Sequence, residues 1–150
     1  MKIIVILGLG LFLAACGRGE DSTDTTEAVK FERNIDAMQI SRGEKVFSQN
    51  CASCHGDQAQ GDPDWRTRDK ETGRFPPPPL DGTAHAWHHP LAQLKHVIAN
   101  GSPGGKGNMP AWSGKLSEQE MDDTIAWFQA KWPAEVYAAW AEINQRASQR

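Results

Sequence analysis

Residues 51–55, Cys51-Ala52-Ser53-Cys54-His55, are the most informative stretch of this sequence. At the end of a helix, positions i, i+3 and i+4 share a face, so both sulfurs and the imidazole project from one side. C-x-x-C-H is the attachment signature of c-type haem. Cys51 and Cys54 then reach the two vinyl groups of one porphyrin, and His55 points at the iron. The motif therefore predicts one covalently bound haem c.

Two other kinds of site use a C-x-x-C pair, and both fit this chain less well. A redox disulfide of the thioredoxin type follows a strand in a βαβ unit, which the sequence does not indicate. A structural zinc site takes four ligands at recognisable spacing. The chain has three cysteines, and the third, Cys16, lies far from the pair. We therefore favour the haem interpretation.

The iron of such a haem needs a sixth ligand or an open position, and Met109 is the best candidate for the ligand. It lies in a Gly- and Pro-rich loop, residues 107–112. Pro110 lacks a backbone donor and stiffens that loop. A lone methionine is otherwise ordinary core material. A histidine is the alternative sixth ligand, and the candidates are His85, His88, His89 and His96.

Aromatic and histidine residues near these positions have open interpretations. His85, His88 and His89 form His-x-x-His-His, which fits a separate metal site or a polar loop ahead of a helix. An indole ring packs on a haem or donates its N–H to a propionate. Trp112 is the best candidate for that role because it follows Met109 closely, ahead of Trp65 and Trp87.

Taken together, residues 36–132 resemble a class I cytochrome c. The resemblance covers about two thirds of the chain, includes both predicted iron ligands and implies the cytochrome c fold. We expect an all-α domain of three to four helices around one covalently bound haem c. The resemblance is carried by Gly43-Glu44-Lys45-Val46-Phe47, Pro78-Pro79-Leu80, Asn108-Met109-Pro110 and the stretch from Leu116 to Trp132.

The same resemblance assigns roles around the haem. It implies that the carbonyl of Pro78 accepts the second ring N–H of His55, which orients a ligating imidazole. It also implies that Leu80 packs on the haem. A proline-motif ligand for a recognition domain is the alternative interpretation of residues 76–79.

The periodicity predicts four helices. The first runs from about 37 or 41 to 50, and Ser41 with Glu44 would form a capping box if the later start holds. The second starts at Pro90 and ends at Asn100-Gly101. The third begins with a capping box at Ser117, and the resemblance implies that Trp127 and Phe128 include the aromatic that crosses the first helix. The fourth, about 134–147, extends beyond the usual end of the family and packs on the domain or on a partner.

The N-terminus predicts export and anchoring. A positive start, an apolar run and small residues over 1–15 form a signal peptide. Leu13-Ala14-Ala15-Cys16 resembles the bacterial lipobox, which implies lipid attachment to Cys16 and a place on the periplasmic side of a membrane. Residues 16–35 are polar and read as a flexible tether. Residues 36–150 then form the cytochrome c domain with its C-terminal helical extension.

The charge balance argues against nucleic acid. The 16 basic and 19 acidic residues give a net charge of −3, and no basic stripe of the kind that binds phosphates occurs. We expect a monomeric one-electron carrier, not an enzyme, with redox proteins of the periplasm or membrane as partners. The alternatives are a haem c subunit of a fixed dehydrogenase, oxidase or reductase complex, and a haem sensor or peroxidase.

Overall fold

The structure is a computed structural model that describes Arg33 and residues 35–150. The predicted signal peptide and the lipid site at Cys16 lie outside the described residues, as does the tether except for Arg33 and Ile35. Within the described part, no helix is both long enough and apolar enough to cross a membrane.

Helices make up the regular structure of the described residues. The five α-helices are α1 Ala37–Asn50, α2 Ala52–His55, α3 Leu91–Asn100, α4 Glu118–Ala130 and α5 Ala134–Ser148. Short 3-10 turns, Ala86–His88 and Pro103–Gly105, flank α3. Two isolated bridges, Phe75–Gly107 and Ser113–Leu116, occur in this part of the chain, without a strand. The all-α prediction is confirmed, with α2 as a single extra turn.

The two helix caps predicted by sequence have different outcomes. At α4 the box is present: Ser117 Oγ accepts from the Glu120 N–H at 3.2 Å, and the Glu120 carboxylate accepts from the Ser117 N–H at 2.8 Å. At α1 the earlier of the two predicted starts, residue 37, is confirmed, and the alternative capping box at Ser41 is wrong. Asp36 caps the helix by accepting from the Met38 N–H at 3.2 Å, so Ser41 lies inside α1.

The crossing of α1 and α4 forms the centre of the fold. Gly43 allows the close approach, because a Cβ there would overlap the Asp123 carbonyl and lie 2.9 Å from Cβ of Trp127. Beside it, the Phe47 and Trp127 rings lie 4.3 Å apart between centroids. Arg42 Nε lies 2.7 Å from the Asp123 carboxylate, whose side chain is 2% exposed. This bond holds the pKa of Asp123 below its usual value.

We expect Gly43→Ala to lower the free energy of unfolding of the haem-loaded protein by about 3 kcal/mol or more, because the backbones must separate to admit a methyl group. Denaturant unfolding measures this. Ser41→Ala is the matched control, since Ser41 is exposed on the same helix and caps nothing; its change should stay within about 0.5 kcal/mol. Equal effects of the two substitutions would contradict this account of the crossing.

Helix α5 packs on the domain. Its Tyr137 and Trp140 are buried, and the rings of Trp132 and Trp140 meet edge to face at 5.9 Å. Arg33 reaches the same corner, where its guanidinium donates to the carbonyls of Ala130, at 2.9 Å, and of Trp132. The end of the predicted tether is therefore fixed next to the start of α5.

Candidate haem site

An apolar cavity of about 330 Å³, the first cavity, lies among α1, α3, α4 and the loops that follow α2 and α3. A second cavity of about 470 Å³ shares part of its lining, so the two form neighbouring parts of one cleft. Both are lined by His55, Pro78, His85, Ser102, Pro103 and Met109. The first also takes apolar walls from Phe47, Leu80, Leu94, Val97, Ile98 and Phe128.

His55 is the last residue of α2 and is buried. Its Nδ1 lies 3.0 Å from the carbonyl oxygen of Pro78. A carbonyl only accepts, so Nδ1 carries the hydrogen. Burial lowers the pKa of His55 in spite of this bond, which favours the neutral ring. The lone pair then belongs to Nε2, the atom that can bind a metal.

Cys51 and Cys54 are free thiols on one turn of chain, where the Cys54 N–H donates to the Cys51 carbonyl at 3.1 Å. Cys51 lines the first cavity and is half-buried. Burial, with the neighbouring Cys54, raises its pKa to about 11, so its thiol stays protonated near neutral pH. Cys54 is exposed and lies outside the lining of both cavities. Cys51 therefore lies at the cavity rim, and Cys54 lies on the exposed side of the same turn.

The loop that carries Met109 is fixed to the end of α3. The Met109 N–H donates to Ser102 Oγ at 3.0 Å, and the Ser102 N–H donates to the Met109 carbonyl at 3.0 Å. Gly101 has φ +81, and a Cβ there would lie 2.7 Å from that carbonyl. The half-buried thioether therefore has a defined place in the cavity wall.

The remaining predicted haem contacts have mixed positions. Leu80 lines the first cavity, and its N–H donates to the Ala59 carbonyl at 2.7 Å. Trp112 lines neither cavity and instead lies against Lys115, whose Nζ is 5.5 Å from the ring centroid. Trp65 lines the second cavity, with its ring stacked on His85 at 5.4 Å. The role of Trp112 as a haem contact therefore has no support from its position.

The histidine pattern does not form a metal cluster. No group of three or more His, Cys, Asp or Glu side chains in the described residues is arranged to hold an ion. His85 lines both cavities and His89 lines the first, whereas His88 and His96 line neither. The pKa of His85 is lowered by burial and by the nearby His89, His88 and Arg66.

Several cavity residues were not predicted from the sequence, among them Ser102, which fixes Met109, and Thr124. Thr124 lines the first cavity, and its buried hydroxyl has no hydrogen-bond partner among the described residues. Thr124 lies four residues before Phe128 on α4, so its place on the core face followed from the helical period. A polar residue on the otherwise apolar core face of α4 was the sequence signal that could have indicated it.

These residues fit a haem. An apolar cleft contains a neutral imidazole, a thioether and one of two thiols at its rim, and an unpaired Thr124 hydroxyl lies in its wall. His55 and Met109 would bind the iron, and Cys51 and Cys54 would bind the porphyrin.

Comparisons with known proteins agree with this description. The family model described as cytochrome c oxidase, cbb3-type, subunit III matches residues 38–128. The cbb3-type cytochrome c oxidase subunit CcoP of Azospirillum brasilense is 36% identical over 87 residues, which are 58% of this chain and 26% of that protein. Subunit FixP of Bradyrhizobium sp. (strain ORS 278) is 38% identical over 74 residues, 49% of this chain and 21% of that protein.

A shorter relative is matched over most of its length. Cytochrome c6 of Bryopsis maxima is 33% identical over 86 residues, which are 57% of this chain and 83% of that protein. The chain thus spans about a quarter of the oxidase subunits it matches. No solved structure gives a significant match.

Proposed function

This chain belongs to the family of cytochrome c oxidase, cbb3-type, subunit III, and from that premise we propose that it carries single electrons on one haem c. The haem is bound covalently at Cys51 and Cys54 and ligated by His55 and Met109. The hydrogen bond of His55 to Pro78, 3.0 Å long, carries the proposal. It leaves Nε2 free on a buried imidazole, and His55 lines the same cavity as Met109.

The bound iron supplies the chemistry, which is the reversible gain and loss of one electron. His55 and Met109 would both bind the iron, which would leave no open position for a substrate. A methionine ligand raises the reduction potential relative to a second histidine. Pro78 fixes the orientation of His55 and raises its basicity as a ligand. The apolar walls exclude water, and exposed Cys54 marks the edge where electrons pass to a partner.

A redox titration of the haem-loaded full chain tests this proposal. We expect one transition, with one electron per chain, at a potential in the positive range of His/Met haems. Mass spectrometry of the denatured protein should show one haem attached per chain. Two transitions, or a potential in the range of bis-histidine haems, would contradict the proposed ligation.

A second candidate function is favoured by the named relatives. CcoP and FixP are oxidase subunits, so the chain would deliver electrons within a fixed oxidase complex. Stoichiometric co-purification with one oxidase from native membranes supports the subunit. A haem-loaded monomer that exchanges electrons with several partners supports the free carrier. A haem sensor or peroxidase requires an open sixth position, which Met109 fills in the proposed site.

We also propose that the domain acts on the periplasmic side of a membrane, anchored through lipid on Cys16. The lipobox-like Leu13-Ala14-Ala15-Cys16 supports this. The anchor would raise the effective concentration of membrane partners. Arg33, fixed at the corner before α5, would be where the tether meets the domain.

A further inference from the structure

Helix α5, which lies beyond the residues matched by the family model, holds one wall of the first cavity. Trp140 Nε1 donates to the carbonyl of His89 at 3.0 Å. One helical turn on, Asn144 Oδ1 accepts from the N–H of Leu91 at 2.9 Å. Both bonds end on the same short stretch of chain, immediately before and at the start of α3.

The Asn144 bond completes the N-terminus of α3. The first N–H groups of a helix have no partner within it. The N-cap residue of α3 is Pro90, whose side chain cannot supply one. Asn144, from a distant part of the chain, supplies the acceptor for the free N–H of Leu91. The position of α3, and of the Leu94 and Ile98 side chains in the cavity, therefore depends on α5.

Trp132 holds the other end of the same wall. Its Nε1 donates to the carbonyl of Leu80 at 2.8 Å, and its ring packs on Trp140. We call residues 80–91 the histidine segment, because His85, His88 and His89 lie in it. The segment is tied to the corner before α5 at its start and to α5 itself at its end.

The histidine segment brings two further imidazole side chains to the cleft. His85 lines both cavities, as His55 and Met109 do, and His89 lines the first. Their rings lie 5.7 Å apart, edge to face. A neutral imidazole binds haem iron at least as readily as a thioether does. If Met109 is to bind the iron, the rings of His85 and His89 must therefore be held in the cavity wall.

We propose that Trp140 and Asn144 are positioning residues that select Met109 as the sixth ligand of the iron, by holding the histidine segment in the cavity wall. The inference rests on the proposed function, since it takes ligation by His55 and Met109 as its starting state. When both bonds are removed, the end of the segment is released from α5, and His85 or His89 then competes with Met109 for the iron.

The test uses the haem-loaded full chain and the weak far-red absorption band of methionine-bound ferric haem. Trp140→Phe with Asn144→Ala removes the donor and the acceptor but keeps an aromatic ring in place. Asn144→Asp is the matched control, because its carboxylate still accepts from Leu91 and suits a helix N-terminus. We expect the double variant to lose more than half of the band and to have a lower potential, and Asn144→Asp to retain both.

A rescue experiment separates ligand selection from a general loss of structure. Adding His85→Ala and His89→Ala to the double variant should restore the band, because the competing ligands are gone. An unchanged band in the double variant, or a loss that these substitutions do not reverse, would overturn the inference. A wild-type protein without the band would instead overturn the proposed Met109 ligation, so the two failures are distinguishable.

Discussion

Replacing Met109 with alanine should open the sixth coordination position of the haem-loaded protein. The variant loses the methionine–iron band and binds carbon monoxide in the reduced state. Its reduction potential falls by a sizeable fraction of the roughly 0.8 V range that axial ligands cover. The coordination position stays open because the loop that bears Met109 is fixed through Ser102. No other side chain of that loop can then replace the lost thioether.

Met38→Ala is the matched control for this prediction. Met38 is 65% exposed at the start of α1 and is remote from the cavity lining. Its removal should leave the spectrum, the potential and the lack of carbon monoxide binding unchanged. If Met109→Ala behaves like Met38→Ala, Met109 is not the ligand, and His85 or His89 becomes the leading candidate.

Replacing both Cys51 and Cys54 with alanine should abolish covalent haem attachment and, with it, most of the stability of the fold. Without haem the first cavity is empty, and its volume is about 330 Å³. An enclosed apolar cavity costs roughly 24 cal/mol per Å³, which sets an upper bound on the order of 8 kcal/mol for this partly open cleft. Folded domains are stable by only about 5–15 kcal/mol, so the haem-free chain should be poorly folded.

Circular dichroism and thermal unfolding measure this effect. We expect the double cysteine variant to lose its cooperative transition. Cys16→Ala is the control: it should keep one haem and the same unfolding transition, and lose only its association with membranes. A haem-free double variant that unfolds cooperatively, at the temperature of the haem-loaded protein, would contradict the view that haem forms the core.

Much of the site could be predicted from sequence because its signals are local or belong to a well-defined family. Cys51 to His55 is a contiguous motif. The resemblance indicated the Pro78 carbonyl, and the structure has it 3.0 Å from His55. The capping box at Ser117 follows from residue type and helical spacing.

Other features depend on contacts that no local pattern records. Asp36 and Ser41 are both good caps, and only the packing of α1 on α4 decides between them. Asn144 caps a helix that begins at Leu91, a pairing that spacing cannot indicate. Trp112 is near Met109 in sequence, but the loop turns it toward Lys115. The sequence predicted α5 but not its two bonds to the cavity wall, which Trp140 and Asn144 make.

The most direct test of electron carriage through a haem ligated by His55 and Met109 is the optical spectrum of the haem-loaded protein, oxidised and reduced, with and without carbon monoxide. The account predicts a far-red methionine–iron band when oxidised and no response to carbon monoxide when reduced. Absence of the band with rapid carbon monoxide binding would contradict it and favour a sensor or peroxidase. If the protein has no far-red band and also binds no carbon monoxide, a histidine is the sixth ligand and the reduction potential is lower.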